Sequence, residues 1–454
     1  MSAALDFNYN YPFQSSLLQT AAEPRNLRLA TFGGVNKNPY FFSGFLKSPK
    51  QCADLLLALS AISRTRFFSP GELRARMLAA ADPVVTSDGS QLRFEVFSVC
   101  CGAYSRLDIR GDGIDGDWLS KGTTNVDFNP TMRAALGSVT TSEKVGLRVG
   151  ADALELTRGE EIVVERKVKL PIRWLKGFVE VQVYQSTLKP CLELPALELA
   201  KAIRTLPQQN IMQAGTITYI VPSGQGIRLS QRDAAGAIAV GAISRLKALE
   251  PILRYAKTVR VYSGTDAVTA FELMMPDAVF IFVLSPNAAR GFSGEGQALS
   301  GLSRESAPQL LAQVRGALNW QANLSPESLS VKLNLGREST ENALQVLGSR
   351  GLVGYDLSNS SYFHRELPFD LTLVEELHPR MKKARQLVEE KSIRISDQSS
   401  EDNYEAFVKG SKGDHYVQVT PSSCRCTCDW FAKNQGARGP CSHILAAEMV
   451  TQEK

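Results

Sequence analysis

No stretch of this chain approaches the ~20 consecutive apolar residues that a bilayer span needs. The opening Met1-Ser-Ala-Ala-Leu-Asp-Phe-Asn-Tyr9 lacks the basic segment and apolar core of a secretory signal. A cytoplasmic protein with no membrane partner is therefore expected. Charge of either sign is also short: the net value is +5 over 454 residues, too little to imply a nucleic-acid partner by itself. Catalytic signatures are missing. There is no P-loop, no G-x-S-x-G elbow, no H-E-x-x-H and no dinucleotide fingerprint after a strand. Four histidines leave acid–base chemistry by imidazole without an obvious partner. The expectation is a protein that is not an enzyme.

What is present suits a folded chain of about three domains at roughly 100–200 residues each, with 44% hydrophobic and 21% charged residues. The expected fold class is α+β and multidomain, with a mixed strand/helix N-terminal region. The divisions fall at 1–205 (an α+β domain), 206–300 (a second α+β unit), 304–370, 371–396 (a connecting helix) and 397–454. Helical spacing of apolar residues predicts helices over 51–63, 70–81 and 194–205, and a long one over 233–255. Asn129 before Pro130 predicts a capped helix start, and 171–180 reads as another. Residues 93–109 and 145–169 read as strands, as do segments near 216–221, 226–230, 258–261, 267–273 and 278–284. Arg110-Gly-Asp-Gly-Ile-Asp-Gly-Asp-Trp118 is a polar loop rather than a calcium loop, because Arg110 and Leu119 occupy ligand positions. Residues 291–301, rich in Gly and Ser, read as a linker.

Residues 306–370 carry three helical patterns followed by two strands around the polar turn Ser358-Asn-Ser-Ser361. The set resembles a winged helix-turn-helix, which in its DNA-binding form puts the third helix in the major groove. Arg337, Asn342, Gln345 and Arg350 are the candidate contacts, but Glu338 and Glu341 share their face and would oppose phosphate. His364 in the wing reads as a packed or exposed ring, not a ligand. Beyond it, Arg380, Lys382, Lys383 and Arg385 make the densest basic patch of the chain. That patch is read as a solvated helix face, with nucleic-acid or partner contact as the alternative. Charge elsewhere in the C-terminal third is balanced: 304–370 carries six Lys/Arg against seven Asp/Glu, and 397–454 six against eight.

Four of the eight cysteines and one of the four histidines fall between Cys424 and His443. Cys426 and Cys428 sit two apart, as alternate residues of an extended segment can to share one ion. Gly436, Gly439 and Pro440 reverse the chain. Cys441 and His443 then open the apolar run Ile444-Leu-Ala-Ala447, read as a helix whose N-terminus favours thiolates. Three thiols and an imidazole are the donors of a closed structural zinc site. Cys424 falls on the same strand face, so spacing alone leaves it in contention.

Cys426-Thr-Cys-Asp-Trp-Phe431 with Gly439-Pro-Cys-Ser-His-Ile-Leu-Ala446 resembles the SWIM zinc finger, a ββα module with the pattern CxCx(n)CxH. The resemblance implies Zn²⁺ on Cys426, Cys428, Cys441 and His443, with Cys424 outside the set. SWIM fingers are implicated in binding DNA or protein. Asn125-Val-Asp-Phe-Asn-Pro130 and Leu170-Pro-Ile-Arg-Trp-Leu-Lys-Gly-Phe178 resemble segments of bacterial SWIM proteins encoded beside a MoxR-type AAA+ ATPase and a von Willebrand factor A-domain (VWA) protein. That likeness implies an adaptor with a protein partner of this kind. A DNA-binding regulator or DNA-processing accessory is the alternative.

Overall fold

The computed structural model describes residues 16–452 apart from 21–22, 29–39, 66–82, 127, 168–169, 171, 208–215, 225, 265–266, 288–290, 295, 297, 300–307, 368–377, 397–402, 411–412, 421–422 and 437. The helix expected over 70–81 and the first part of the connecting helix lie outside the described residues. Strands β1 (Ser16–Thr20) and β2 (Glu23–Arg28) pair antiparallel. Next come β3 (Tyr40–Leu46), α1 (Pro49–Arg64), β4 (Val84–Ser87), β5 (Gln91–Phe97), β6 (Ala103–Arg110), β7 (Ile114–Trp118) and β8 (Gly122–Asn125). Helix α2 (Pro130–Gly137) starts where Asn129 Oδ1 accepts the Met132 N–H at 2.9 Å, as its cap predicts. Strands β9 (Val145–Gly150), β10 (Ala153–Arg158) and β11 (Glu161–Arg166) complete a five-stranded sheet ordered β11-β10-β9-β3-β7. Strand β7 thus replaces much of the polar loop expected over 110–118.

Then follow α3 (Ile172–Thr187), β12 (Lys189–Pro195), α4 (Ala196–Thr205), β13 (Ile217–Ser223), β14 (Gly226–Ser230), β15 (Ile238–Gly241), β16 (Thr258–Ser263), β17 (Thr269–Met274) and β18 (Ala278–Leu284). Eight strands form one antiparallel sheet, β12-β16-β17-β18-β6-β5-β4-β8. It runs through the 205/206 division, joined where β18 pairs with β6 from Ala278↔Ile109 to Leu284↔Ala103. Every residue of β18 is buried, as a continuous apolar run in a sheet covered on both faces should be. Helix α1 covers one face against β5 and β6. On the other, Phe97 meets Trp174 and Phe178 of α3 with ring centroids 5.8 and 4.9 Å apart.

The long helix expected over 233–255 does not form. β15 occupies part of it, and 3-10 turns at Ile243–Leu249 and Leu253–Tyr255 take the rest. Ala242 has φ 42°, through which a right-handed helix cannot run. Buried Arg245 holds this bend, donating to the carbonyls of Gly241 at 2.6 Å and Ser285 at 2.7 Å. The described part of the expected linker is also not a linker. Gly291 lies against the Cys101 backbone, and Phe292, Ala298 and Leu299 are buried.

Helices α5 (Pro308–Gly316), α6 (Pro326–Leu333) and α7 (Arg337–Ser349), with the hairpin β19 (Val353–Asp356) and β20 (Ser361–His364), enclose a separate small core. Ser325 caps α6, and Gly351 follows α7 at φ 74°, the left-handed turn that ends helices. The hairpin docks on the large sheet through buried charge. Arg93 reaches Asp108 at 2.8 Å and Asp356 at 3.1 Å, Arg106 reaches Asp356 at 2.6 Å, and Arg365 pairs with Glu95. The Phe363 ring lies 3.7 Å beneath the Arg93 guanidinium.

The C-terminal part comprises α8 (Pro379–Glu389), β21 (Ile393–Ile395), β22 (Tyr404–Gly410), β23 (Gly413–Thr420), β24 (Ser423–Cys426), α9 (Asp429–Asn434) and α10 (Ser442–Gln452). The strands form one sheet in sequence order. One core joins Met381, Ala384 and Leu387 of α8 to Ile444, Leu445 and Ala447 of α10. Among the described residues no helix is long and apolar enough to cross a membrane.

Candidate metal centre

Cys426 closes β24, Cys428 stands at the N-cap of α9, and Cys441 and His443 flank the start of α10. Only the first of the Cys-x-Cys pair is therefore on a strand. The chain leaves the sheet at Thr427, and a short helix carries Trp430 and Phe431 ahead of the turn at Gly436. The four ligand atoms all lie within 4.8 Å of one another. Cys426 Sγ is 3.8 Å from His443 Nδ1. A tetrahedral zinc with sulfur at about 2.3 Å needs ligands roughly 4 Å apart, so this cluster fits it with little adjustment. The three thiols are buried, and all eight cysteines are free of disulfides.

Backbone N–H groups point at two of the sulfurs. The Phe431 N–H donates to Cys428 Sγ at 3.4 Å, and the Ile444 N–H points at the Cys441 sulfur. Cys428 also accepts from the Cys426 and Cys441 thiols, which lowers its pKa and, in turn, raises theirs. With zinc and three thiolates the centre carries about −1. His443 is flanked by the ring of His415, centroids 4.3 Å apart. His415 has room because Gly410 faces it: a Cβ there would come 2.6 Å from the imidazole. Nothing in the spacing of His415 marks it, since it reaches the centre only through the β22–β23 register.

Residues 417–451 match the SWIM zinc finger. Within the matched segment Cys426, Cys428, Cys441 and His443 form a cluster suited to binding zinc. Cys424 lies outside it, half-buried beside Val419 on the neighbouring strand. No curated protein matches the chain. Among solved structures, proliferating cellular nuclear antigen from Entamoeba histolytica is similar at a TM-score of 0.35 and 14% identity, over 54% of this chain and 98% of that one.

The remaining candidate contacts do not converge. Arg337 is exposed and pairs with Glu327 at 2.6 Å. Asn342, Gln345 and Arg350 are half-buried, and Gln345 bonds the Tyr362 hydroxyl. Helix α7 leans on α3, where a side chain at Gly348 would strike Gln182. His364 is a packed ring: Nδ1 accepts the Trp320 N–H at 2.7 Å. Lys382, Lys383 and Arg385 are exposed on α8. Arg380 is turned inward instead. Its Nη1 donates to the carbonyls of Arg438 at 2.6 Å and Pro440 at 2.8 Å, and its guanidinium lies 4.5 Å from the Trp430 ring centre. It holds the loop between the two ligand pairs.

Proposed function

We propose that this protein is a zinc-binding, non-enzymatic adaptor, using its SWIM finger and three-helix body to recognise a protein component of an AAA+ ATPase/VWA system. The carrying observation is the outer face of the finger sheet. Phe407 is 42% exposed there, with the Tyr416 ring 5.4 Å away and the Arg394 guanidinium 5.2 Å from its own ring. Exposed aromatics with arginine are the residue types that dominate protein interfaces. Glu405, Lys409 and Asp414 alternate in sign around them, a rim suited to a protein surface more than to a polyanion. Four protein ligands on the metal support a structural role for it.

A second reading, DNA binding, is favoured by the three exposed cations Lys382, Lys383 and Arg385 on α8. It entails duplex binding that weakens steeply with salt. The two separate in one experiment. The zinc-loaded full chain is run through gel filtration with the MoxR-type ATPase of its own host, and separately with duplex DNA at low salt. Co-elution with the ATPase, lost in Phe407→Asp while zinc content is retained, is expected. An ATPase that never co-elutes, with duplex binding abolished by Lys382→Glu/Lys383→Glu, would replace the first reading by the second.

A further inference from the structure

The inner face of the finger sheet carries apolar residues up to the metal centre. Tyr404, Ala406 and Val408 of β22 are buried on it, as is Val417 of β23, which lies opposite Cys426. Strand alternation puts His415 on the same face, next to Val417 along β23. The pairing runs past the end of β24: the Thr427 N–H donates to the Tyr416 carbonyl at 3.1 Å, and the Tyr416 N–H to Thr427 Oγ1 at 3.0 Å. That register carries His415 to the point where the chain turns into α9 at Cys428. Its ring meets that of His443 at 4.3 Å between centroids, tilted by 41°. On another side it leans over Gly410, where a Cβ would come 2.6 Å from both Cδ2 and Nε2.

We propose that His415 is a positioning residue of the zinc centre, holding the His443 imidazole with Nδ1 toward the thiols. Three of the four ligands are buried thiols, and His443 is the half-buried fourth. A thiolate meets a metal from a range of torsions. An imidazole nitrogen donates only in the plane of its ring, so the orientation of that ring must be fixed. In metal sites the residues packed around the ligands do this. His443 lies in the first turn of α10, with Nδ1 3.8 Å from Cys426 Sγ. A flat ring packed against it restricts the rotation that would turn Nδ1 away, and covers part of the ligand that solvent reaches. Gly410 admits that ring, because a methyl group there would displace it. The role uses the shape of His415 rather than its charge, and it does not depend on the proposed protein partner.

The test has two readouts on the full chain: the ligand-field bands of the cobalt-substituted protein, and the rate at which the zinc-loaded protein yields its metal to pyridylazoresorcinol. His415→Ala should shift or weaken the bands and speed zinc release about ten-fold, the lower end of what residues orienting metal ligands are worth. His415→Phe keeps a flat ring and should restore the wild-type spectrum and rate. Gly410→Ala leaves His415 in the chain but displaces its ring, so it should reproduce the spectral change. Leu387→Ala truncates the same core from α8 and should leave the bands as in wild type, even where release is faster. Wild-type bands and rate in His415→Ala overturn the proposal. So does a phenylalanine variant as impaired as the alanine one, which would make the nitrogen of His415 the working group. A Leu387→Ala spectrum changed like that of His415→Ala also overturns it, since the bands would then report loosened packing alone.

Discussion

Cys424 and Cys426 are alternate residues of one strand, yet only Cys426 reaches the ligand cluster. The strand ends at Cys426, and the turn into α9 carries Cys428 back toward Cys441, away from Cys424. Elemental analysis of the purified chain should therefore find one zinc per molecule in wild type and in Cys424→Ser, and close to none in Cys441→Ser. Zinc retained by Cys441→Ser, or lost from Cys424→Ser, would reassign the ligands. The C-x-C and C-x-H pairs are legible in sequence because each pair lies within one local turn of chain. Arg380 was legible only as a charge. Its partners lie 58 and 60 residues further on, and no local pattern encodes that reach.

At the scale of elements, strands were readable from alternation, but which face meets water was not. Arg93 and Glu95 on β5, with Arg106 and Asp108 on β6, have the pattern of a solvated sheet face, and all four are buried. The charged hairpin β19–β20 covers them, from more than 240 residues away. Asp356 is its hinge pin, shared by two arginines. Burial raises its pKa, but Arg106 and Arg93 outweigh that and hold it below the usual carboxylate range. A depressed folded-state pKa contributes stability above the ordinary Asp value of about 3.9, lost as pH falls beneath it. Asp356→Asn should cost about 3–5 kcal/mol, because it strands two buried guanidinium groups. Urea unfolding should show that deficit constant from about pH 8 to 5 and shrinking only below about pH 4. A deficit under about 1 kcal/mol, or one fading near neutrality, would contradict the role given to this cluster.

For the molecule as a whole, the finger's matched segment is smaller than its cooperative unit. Residues 417–451 contain all four ligands, but their apolar side chains close a core only together with Met381, Ala384 and Leu387 of α8, and with Tyr404, Ala406 and Val408 of β22. A module this small rarely stabilises itself without such help or a metal. Removing zinc should therefore melt more than the finger. Three sulfurs and an imidazole left without their ion would loosen α9 and the start of α10. Helix α10 then has no reason to stay on α8, and Arg380 loses the carbonyls that anchor it. Among the described residues, β18, β6 and β5 are packed in a different core, the N-terminal one. Hydrogen exchange after treatment with a zinc chelator should show amides from α8 through α10 losing protection together, while β5, β6 and β18 keep theirs. Loss confined to 417–451 would make the finger an autonomous unit, and loss throughout the sheet would make zinc a global staple. The shared core argues for the intermediate outcome, a C-terminal unit that folds with its metal on a body that does not need it.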